Sequence, residues 1–413
     1  MSFAKALKCQ DCGRRYPLEP LYTCEYCFGA LEVEYDYEAM RGAVSKEAFE
    51  KGPPSLWRYL PVLPVEKPGA GFLTGFTPLV RARNLERELG VRELYIKDDT
   101  VNHPTLSFKD RVVAVALTKA KEFGFDTVAC VSTGNLANAL SGQAAVAGLR
   151  RFIFIPATLE TAKIVGSLIY DPHLVLVDGT FDQINRLCAE ITERYNWAFV
   201  NVNLRPYYAE GSKTMAYEIA EGLGWRLPGH VVAPAASGLL ITQLDKGFRE
   251  LNFLGLVEER REVKIYIAQP EGCAPIAEAV RKGTDFITPV REPKTIAKSL
   301  AIGSPFSGVY AARVVMRSGG YAAVVSDKEI VEAIKLLART EGIFAETAGG
   351  VTLAGAIKLI EEGRIPRDEP IVVCITGNGY KTQDAVVPAL KTKPPIKPTL
   401  EDFERYLKEV GEG

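Results

Sequence analysis

Short apolar runs, each ending in a turn of small residues and each followed by a helical pattern, recur along most of this chain. "ELYIKDD", "TVACVST", "RFIFIPA", "HLVLVDG", "HVVAPAA", "VKIYIAQ" and "PIVVCIT" read as strands, rich in Val, Ile, Tyr and Phe. "FKDRVVAVALTKAKEFG", "NLANALSGQAAVAGL", "FDQINRLCAEITERY", "LLITQLDKGFREL", "KEIVEAIKLLARTEG" and "VTLAGAIKLIEEG" carry apolar residues at helical spacing. Parallel strands need crossovers, and helices supply them, so the expected class is α/β with largely parallel sheets. An irregular Pro- and Gly-rich approach, "KGPPSLWRYLPVLPVEKPGAGFLTGFTPLV", precedes this body, and "KTKPPIKPTLEDFERYLKEVGEG" reads as a polar linker with a short terminal helix.

With 413 residues, 47% of them hydrophobic and 24% charged, the chain can build two or three packed domains. Fifty basic against fifty-one acidic side chains leave a formal charge of −1, so no global field favours nucleic acid or an anionic membrane, and an anion must be bound locally. No apolar run approaches the ~20 residues of a membrane-spanning helix, and "MSFAKALKCQDC" lacks the apolar core of a signal peptide. The expected location is the cytoplasm.

Eight cysteines divide into scattered singles and a cluster. Cys130 and Cys374 fall in strand-like runs, where a thiol acts as a small hydrophobe. Cys9, Cys12, Cys24 and Cys27 form two C-x-x-C pairs separated by eleven residues. Each pair can turn both thiolates toward one tetrahedral ion, and so short a segment has little core without one. Zinc is the natural occupant; a ribbon that has lost its metal is the alternative. Four ligands leave no open position, so such a site is structural.

Lys109 opens a helix directly behind a segment, "DTVNHPTLS", that cannot be helical before Pro104. An amine there can form an imine with a carbonyl cofactor if burial or a neighbouring cation, for which Arg111 is a candidate, lowers its pKa. Spacing alone fits a solvated first-turn lysine better. The loops add weight. "STGNLAN" follows a strand and opens a helix, with Asn135 able to bond a ring hydroxyl. Ala235, Ala236, Ser237, Gly238 and Leu239 can offer amides to a phosphate at a helix start, and Thr376 in "ITGNGYKT" can present a hydroxyl to a ring nitrogen. Three histidines are too few and too scattered for a metal site or triad.

"TLSFKDR", "STGN", "NLRPYYAEGSKT", "TIAKSLAIGSP", "EGIFAETAGGVTLAG" and "TGNGYKT" together resemble the sequence blocks of the threonine synthase family, within the fold-type-II pyridoxal-phosphate enzymes. The blocks recur in order from about residue 70 to residue 385, and "YTCEYCFGALEVEYD" resembles the cysteine-bearing leader of many members. The resemblance implies a tryptophan synthase β-like fold of two α/β domains behind a zinc-ribbon-like segment. The boundaries expected are 1–38 for the ribbon, 39–115 with 204–413 for a large cofactor-binding domain, and 116–203 for a small one. It implies that Lys109 holds the cofactor and moves protons, Asn135 lies beside its ring oxygen, Thr376 meets its pyridine nitrogen, and residues 235–239 bind its phosphate. Ser132, Thr133 and Gly134 would lie against the substrate carboxylate. The implied reaction converts O-phospho-L-homoserine and water to L-threonine and phosphate, and the expected assembly is a homodimer.

The chain departs from the family pattern around the substrate phosphate. Leu136 stands where a threonine is common, and Tyr208 where an arginine is common. Arg205 is the favoured substitute, since a planar fork of donors suits a phosphate; Asn138, Asn203, Lys213 and Lys298 are others. The departures keep open a threonine or serine dehydratase, or a β-replacement enzyme such as cysteate synthase. A non-catalytic binding protein on the same fold is a further alternative.

Overall fold

The computed structural model describes residues 2–132, 134–157, 165–179, 181–390 and 393–411. All seven apolar runs are strands. Six strands form one sheet in the order Ala322–Val325, Lys264–Pro270, His230–Pro234, Ile371–Ile375, Leu94–Asp98, Leu79–Arg81. Every neighbouring pair is parallel except the last, where Leu79 faces Lys97 in an antiparallel edge. A second sheet, wholly parallel, runs His173–Val177, Arg150–Pro156, Thr127–Val131, Ala198–Phe199. The central strands His230–Pro234, Ile371–Ile375 and Thr127–Val131 are buried at every residue, which is why they read as continuous apolar runs and not as alternating ones.

Helix Lys109–Glu122 packs against helices Asn135–Ala147 and Arg205–Gly222, and is buried from Asp110 to Ala120. The close approach to Arg205–Gly222 happens at Gly211, where a Cβ would lie 2.4 Å from the Arg111 carbonyl oxygen and 2.7 Å from Val112 Cα. Helix Arg205–Gly222 escaped the sequence pattern because its charged residues point inward. Lys213 Nζ lies 2.8 Å from Glu210 and 3.0 Å from Glu250, and Lys246 Nζ 2.7 Å from Glu210, all in the interior. An internal ion network of this kind erases the polar face by which a surface helix is recognised.

The N-terminal strands Ala4–Cys9, Arg15–Tyr16 and Leu31–Tyr35 form a small antiparallel sheet. It docks through polar contacts on the same network: Tyr35 donates to Glu210 at 2.8 Å, Tyr37 to Glu250 at 2.9 Å, and Lys246 Nζ to the Val33 carbonyl at 2.7 Å. Helix Leu400–Val410 follows the proline-rich linker, its start capped by Thr399, which accepts from the Asp402 amide. Among the described residues no helix is long and apolar enough to cross a membrane.

Candidate active site

The loops singled out in the sequence lie at the C-terminal ends of parallel strands, where crevices open in such folds. Residues 235–239 follow His230–Pro234, and Thr376 follows Ile371–Ile375, its neighbour in the sheet. The segment before Lys109 pairs with the loop holding Thr376: Phe108 N donates to the Thr376 carbonyl at 2.8 Å, Asn378 N to the Leu106 carbonyl at 3.0 Å, and Ser107 bridges to Gly377. Asp110 ties the same segment from inside the helix, accepting from Thr105 N at 3.1 Å and Thr105 Oγ1 at 3.0 Å. The start of the lysine helix is therefore fixed from two sides.

Lys109 itself is half-buried, with its Nζ 5.1 Å from the centre of the Phe108 ring and 5.8 Å from that of Tyr208. Among the described residues it has no hydrogen-bond acceptor and no ion pair. Arg111, considered in the sequence as the cation beside it, is turned away: its guanidinium is fully buried against Asp99 at 2.7 Å and against Glu218, which also holds Lys97 at 2.8 Å. Its charge is thus neutralised by two acids, Asp99 and Glu218, contributed by other elements.

Asn135 opens helix Asn135–Ala147 and donates from Nδ2 to Glu346 Oε2 at 2.9 Å. Glu346, the residue before helix Thr347–Glu361, is buried, and burial raises its pKa above the ordinary carboxylate range against the opposing Asn135 bond and the charges of Lys381 and Lys109. A Cβ at Gly377 would fall 2.5 Å from Glu346 Oε1, so the glycine makes room for the carboxyl group. Sequence reasoning quoted Glu346 within a block but gave it no role. An acid one residue before a buried helix of small residues was the available signal.

Ser132 is half-buried, and Gly134 is exposed with open space where a Cβ would stand. Thr133 lies outside the described residues. Thr376 is buried, and its hydroxyl meets no partner among the described residues. Gly238 adopts φ +89°, and a Cβ there would meet the Ser307 carbonyl oxygen at 2.6 Å, so the turn into helix Leu239–Phe253 requires glycine. Ala235 is buried and Ala236, Ser237 and Leu239 are half-buried around that turn. A free amine, a free hydroxyl and a helix N-terminus at the ends of adjacent strands fit pyridoxal phosphate, which offers an aldehyde, a ring nitrogen and a phosphate.

Of the side chains considered for the substrate phosphate, most are otherwise engaged. Lys213 is locked between Glu210 and Glu250, Asn203 accepts from Phe199 N at 2.8 Å, Asn138 accepts from Ser167 at 2.8 Å, and Lys298 is exposed. Arg205 differs. It opens its helix, lies 4.5 Å over the Phe306 ring and reaches Ser307 Oγ at 3.3 Å, with no carboxylate partner among the described residues. Burial lowers its pKa from the usual guanidinium range.

In the N-terminal sheet the four cysteine sulfurs lie within 4.8 Å of one another, with Cys9 to Cys27 at 3.4 Å and Cys12 to Cys24 at 3.7 Å. Zn–S bonds of about 2.3 Å give a tetrahedron with edges of roughly 3.8 Å, so the donor set fits zinc.

The family model described as pyridoxal-phosphate dependent enzyme matches residues 72–377. A threonine synthase of Methanocaldococcus jannaschii is 40% identical over 98% of this chain and 99% of its own length. One from Methanosarcina acetivorans is 37% identical over 92% of this chain and 93% of the relative, and one from Mycobacterium tuberculosis 33% over 82% and 90%. Among solved structures, the processed form of threonine deaminase isoform 2 from Solanum lycopersicum superposes with TM-score 0.61 at 22% identity, covering 82% of this chain and 84% of the other. An O-ureido-L-serine synthase gives 0.60 at 22%, covering 77% and 93%. These two likenesses show the fold.

Proposed function

The chain belongs to the threonine synthase family of pyridoxal-phosphate-dependent enzymes, and from that premise we propose a reading of its substrate, residues and assembly. The enzyme is a carbon–oxygen lyase acting on a phosphate, converting O-phospho-L-homoserine and water to L-threonine and phosphate in amino-acid biosynthesis. The observation that carries the reading is the unpartnered amine of Lys109, whose helix start is bonded through Phe108 N to the loop of Thr376 at the ends of the strands.

When bound, pyridoxal phosphate supplies the electron sink that stabilises negative charge at Cα and then Cβ of the substrate. Lys109 holds the cofactor covalently and carries the proton taken from Cα. Asn135 bonds the ring oxygen, Thr376 the ring nitrogen, and an uncharged partner at that nitrogen moderates the sink. The amides of 235–239 hold the cofactor phosphate. Ser132, Thr133 and Gly134 bind the substrate carboxylate, and Arg205 binds the substrate phosphate. Closure of the small domain, 116–203, on the large one, 39–115 with 204–413, excludes water until phosphate has left Cγ. Zinc on Cys9, Cys12, Cys24 and Cys27 staples the ribbon, 1–38. The protein acts as a cytoplasmic homodimer.

Leu136 and Tyr208, where polar phosphate ligands are common, favour a second reading as a dehydratase or β-replacement enzyme. Assaying the holoenzyme for phosphate released from O-phosphohomoserine and for ketoacid released from threonine separates the two. Phosphate with threonine is expected; ketoacid alone overturns the first reading.

A further inference from the structure

Three segments around the start of the Lys109 helix carry no charged residue: "GAGFLTGF" at 69–76, "TVNHPTLSF" at 100–108 and "TGNGY" at 376–380. Hydrogen bonds join them. Thr74 Oγ1 donates to the His103 carbonyl at 2.7 Å, Gly75 N to Asn102 Oδ1 at 2.8 Å, Asn378 Nδ2 to the Thr100 carbonyl at 3.1 Å and Asn378 N to the Leu106 carbonyl at 3.0 Å. Within two residues of these bonds stand six large apolar side chains, Phe72, Leu73, Phe76, Val101, Leu106 and Tyr380, each 38–70% exposed.

This exposure is held in place by the fold. Phe76, at φ +51°, and Leu106, at φ +60°, adopt a left-handed backbone that a large side chain rarely takes. Such a conformation persists only where its surroundings impose it. Here Phe76 N donates to Glu218 at 2.7 Å, Leu106 N donates to the Asn102 carbonyl at 2.8 Å, and the Leu106 carbonyl takes the Asn378 bond. The apolar side chains are therefore presented to solvent from a braced backbone and not from a fraying loop tip.

Area and charge both point to a second copy of this chain as the partner. Together the six side chains expose on the order of 600 Å², so two copies face to face would bury about 1,200 Å², where stable interfaces begin. In a twofold interface the residues near the axis meet their own copies, so a charge there faces a like charge. Segments without charge meet no such repulsion. The flanking cations are engaged elsewhere: Arg58 lies 4.0 Å over the Phe76 ring and pairs with Glu221 at 2.8 Å, and Lys381 donates to the Thr105 carbonyl.

We propose that this uncharged face is the contact between two copies of the chain, and that the partner braces the loop from which the Lys109 helix starts. Leu106 links the two roles. Its side chain belongs to the face, and its carbonyl is bonded to the loop of Thr376, so packing on it holds both segments that fix the start of the helix. The inference rests on the reading of the enzyme as a homodimer and gives that assembly its surface.

The test is sedimentation velocity of the holoenzyme over a dilution series, with cofactor affinity followed by absorbance. Wild type should sediment as a dimer. Leu73→Glu combined with Val101→Glu sets acids against their own copies and should raise the dimer dissociation constant about 100-fold or more. Leu73→Met combined with Val101→Met keeps the apolar surface and should stay dimeric, which separates added charge from a folding defect. Phe286→Glu, at an exposed residue outside the three segments, should change the constant by less than about 3-fold. The monomeric glutamate variant should hold cofactor about 10-fold more weakly, since the Lys109 loop has lost its brace. A glutamate variant that dimerises like wild type overturns the face and leaves the homodimer standing. Wild type that is monomeric at every concentration overturns both and gives the face to an unlike partner. A monomeric variant with wild-type cofactor affinity overturns the brace alone.

Discussion

Asn135 Nδ2 and Glu346 Oε2, 2.9 Å apart, join the helix that follows a strand of the four-stranded sheet to the residue before a helix packed on the six-stranded one. The bond fixes the orientation of the Asn135 amide, whose Nδ2 donates to the Glu346 carboxyl group. One amide hydrogen is held by Glu346, which leaves the other for the ring oxygen in the role proposed for Asn135. Glu346→Ala should lower kcat by up to about 100-fold through misplacement of Asn135, with a shifted absorption maximum of bound cofactor. Glu346→Gln, which presents an oxygen to Asn135 but no charge, should recover most of the spectrum. A spectrum unmoved by either change would remove Glu346 from the site.

Lys109→Ala should lower turnover by about 10²–10⁴-fold and abolish the borohydride-stable attachment of cofactor, as mass spectrometry of the reduced protein would read directly. Its neighbours are the Phe108 and Tyr208 rings, whereas Lys381, the other amine whose charge reaches Glu346, donates to the Thr105 carbonyl. Attachment that survives in the variant would place the reactive amine elsewhere.

The strands and most helices were legible because the central strands are buried at every residue and mostly apolar, and the covering helices present one apolar stripe. Ser326 and Glu329 form a reciprocal cap at the start of helix Asp327–Glu341. What the sequence hid is the inward charge. Glu210, Lys213, Glu218 and Lys246 look like surface residues and are interior ones, because each finds its partner on an element distant in sequence. Asn135 and Thr376 were legible as residues of small-residue turns after strands, and Lys109 as the first residue of an apolar helix pattern. Glu346 was not, because its contact with Asn135 joins segments far apart in the chain.

Zinc in the ribbon makes a prediction about stability. One equivalent of zinc per chain should be found by elemental analysis, and a chelator should lower the thermal midpoint, since the small sheet has little core of its own to hold four sulfurs together. Cys12→Ser should weaken retention of the metal. A protein purified without metal that shows the same midpoint with and without added zinc would count against the site.

Glu218 sets an acid limit. Burial raises its pKa, but Arg111 and Lys97 overcome that and hold it at about 2. Its unfolded value is about 4.3, so the folded pKa is depressed, and the stability it contributes is present above about pH 4.3 and lost as pH falls toward 2. Glu218→Gln should destabilise the protein at neutral pH by about 3–5 kcal/mol, because two buried cations lose a partner, and should flatten the dependence of urea midpoint on pH in that window. An equal slope in wild type and variant would assign acid unfolding to other groups.

Gly211 is where the lysine helix and helix Arg205–Gly222 touch backbone to backbone, so it tests whether that contact also governs the site. A methyl group there must displace the Arg111 carbonyl, 2.4 Å away, and neither backbone can yield locally as a flexible side chain would. Gly211→Ala should therefore destabilise the protein by about 1–3 kcal/mol despite the better helix propensity of alanine, seen as a lower urea midpoint with an unchanged slope. Since the same shift moves the first turn of the Lys109 helix relative to Tyr208, turnover should fall while cofactor remains attached. A stabilised or fully active Gly211→Ala would mean the two helices separate without disturbing the amine.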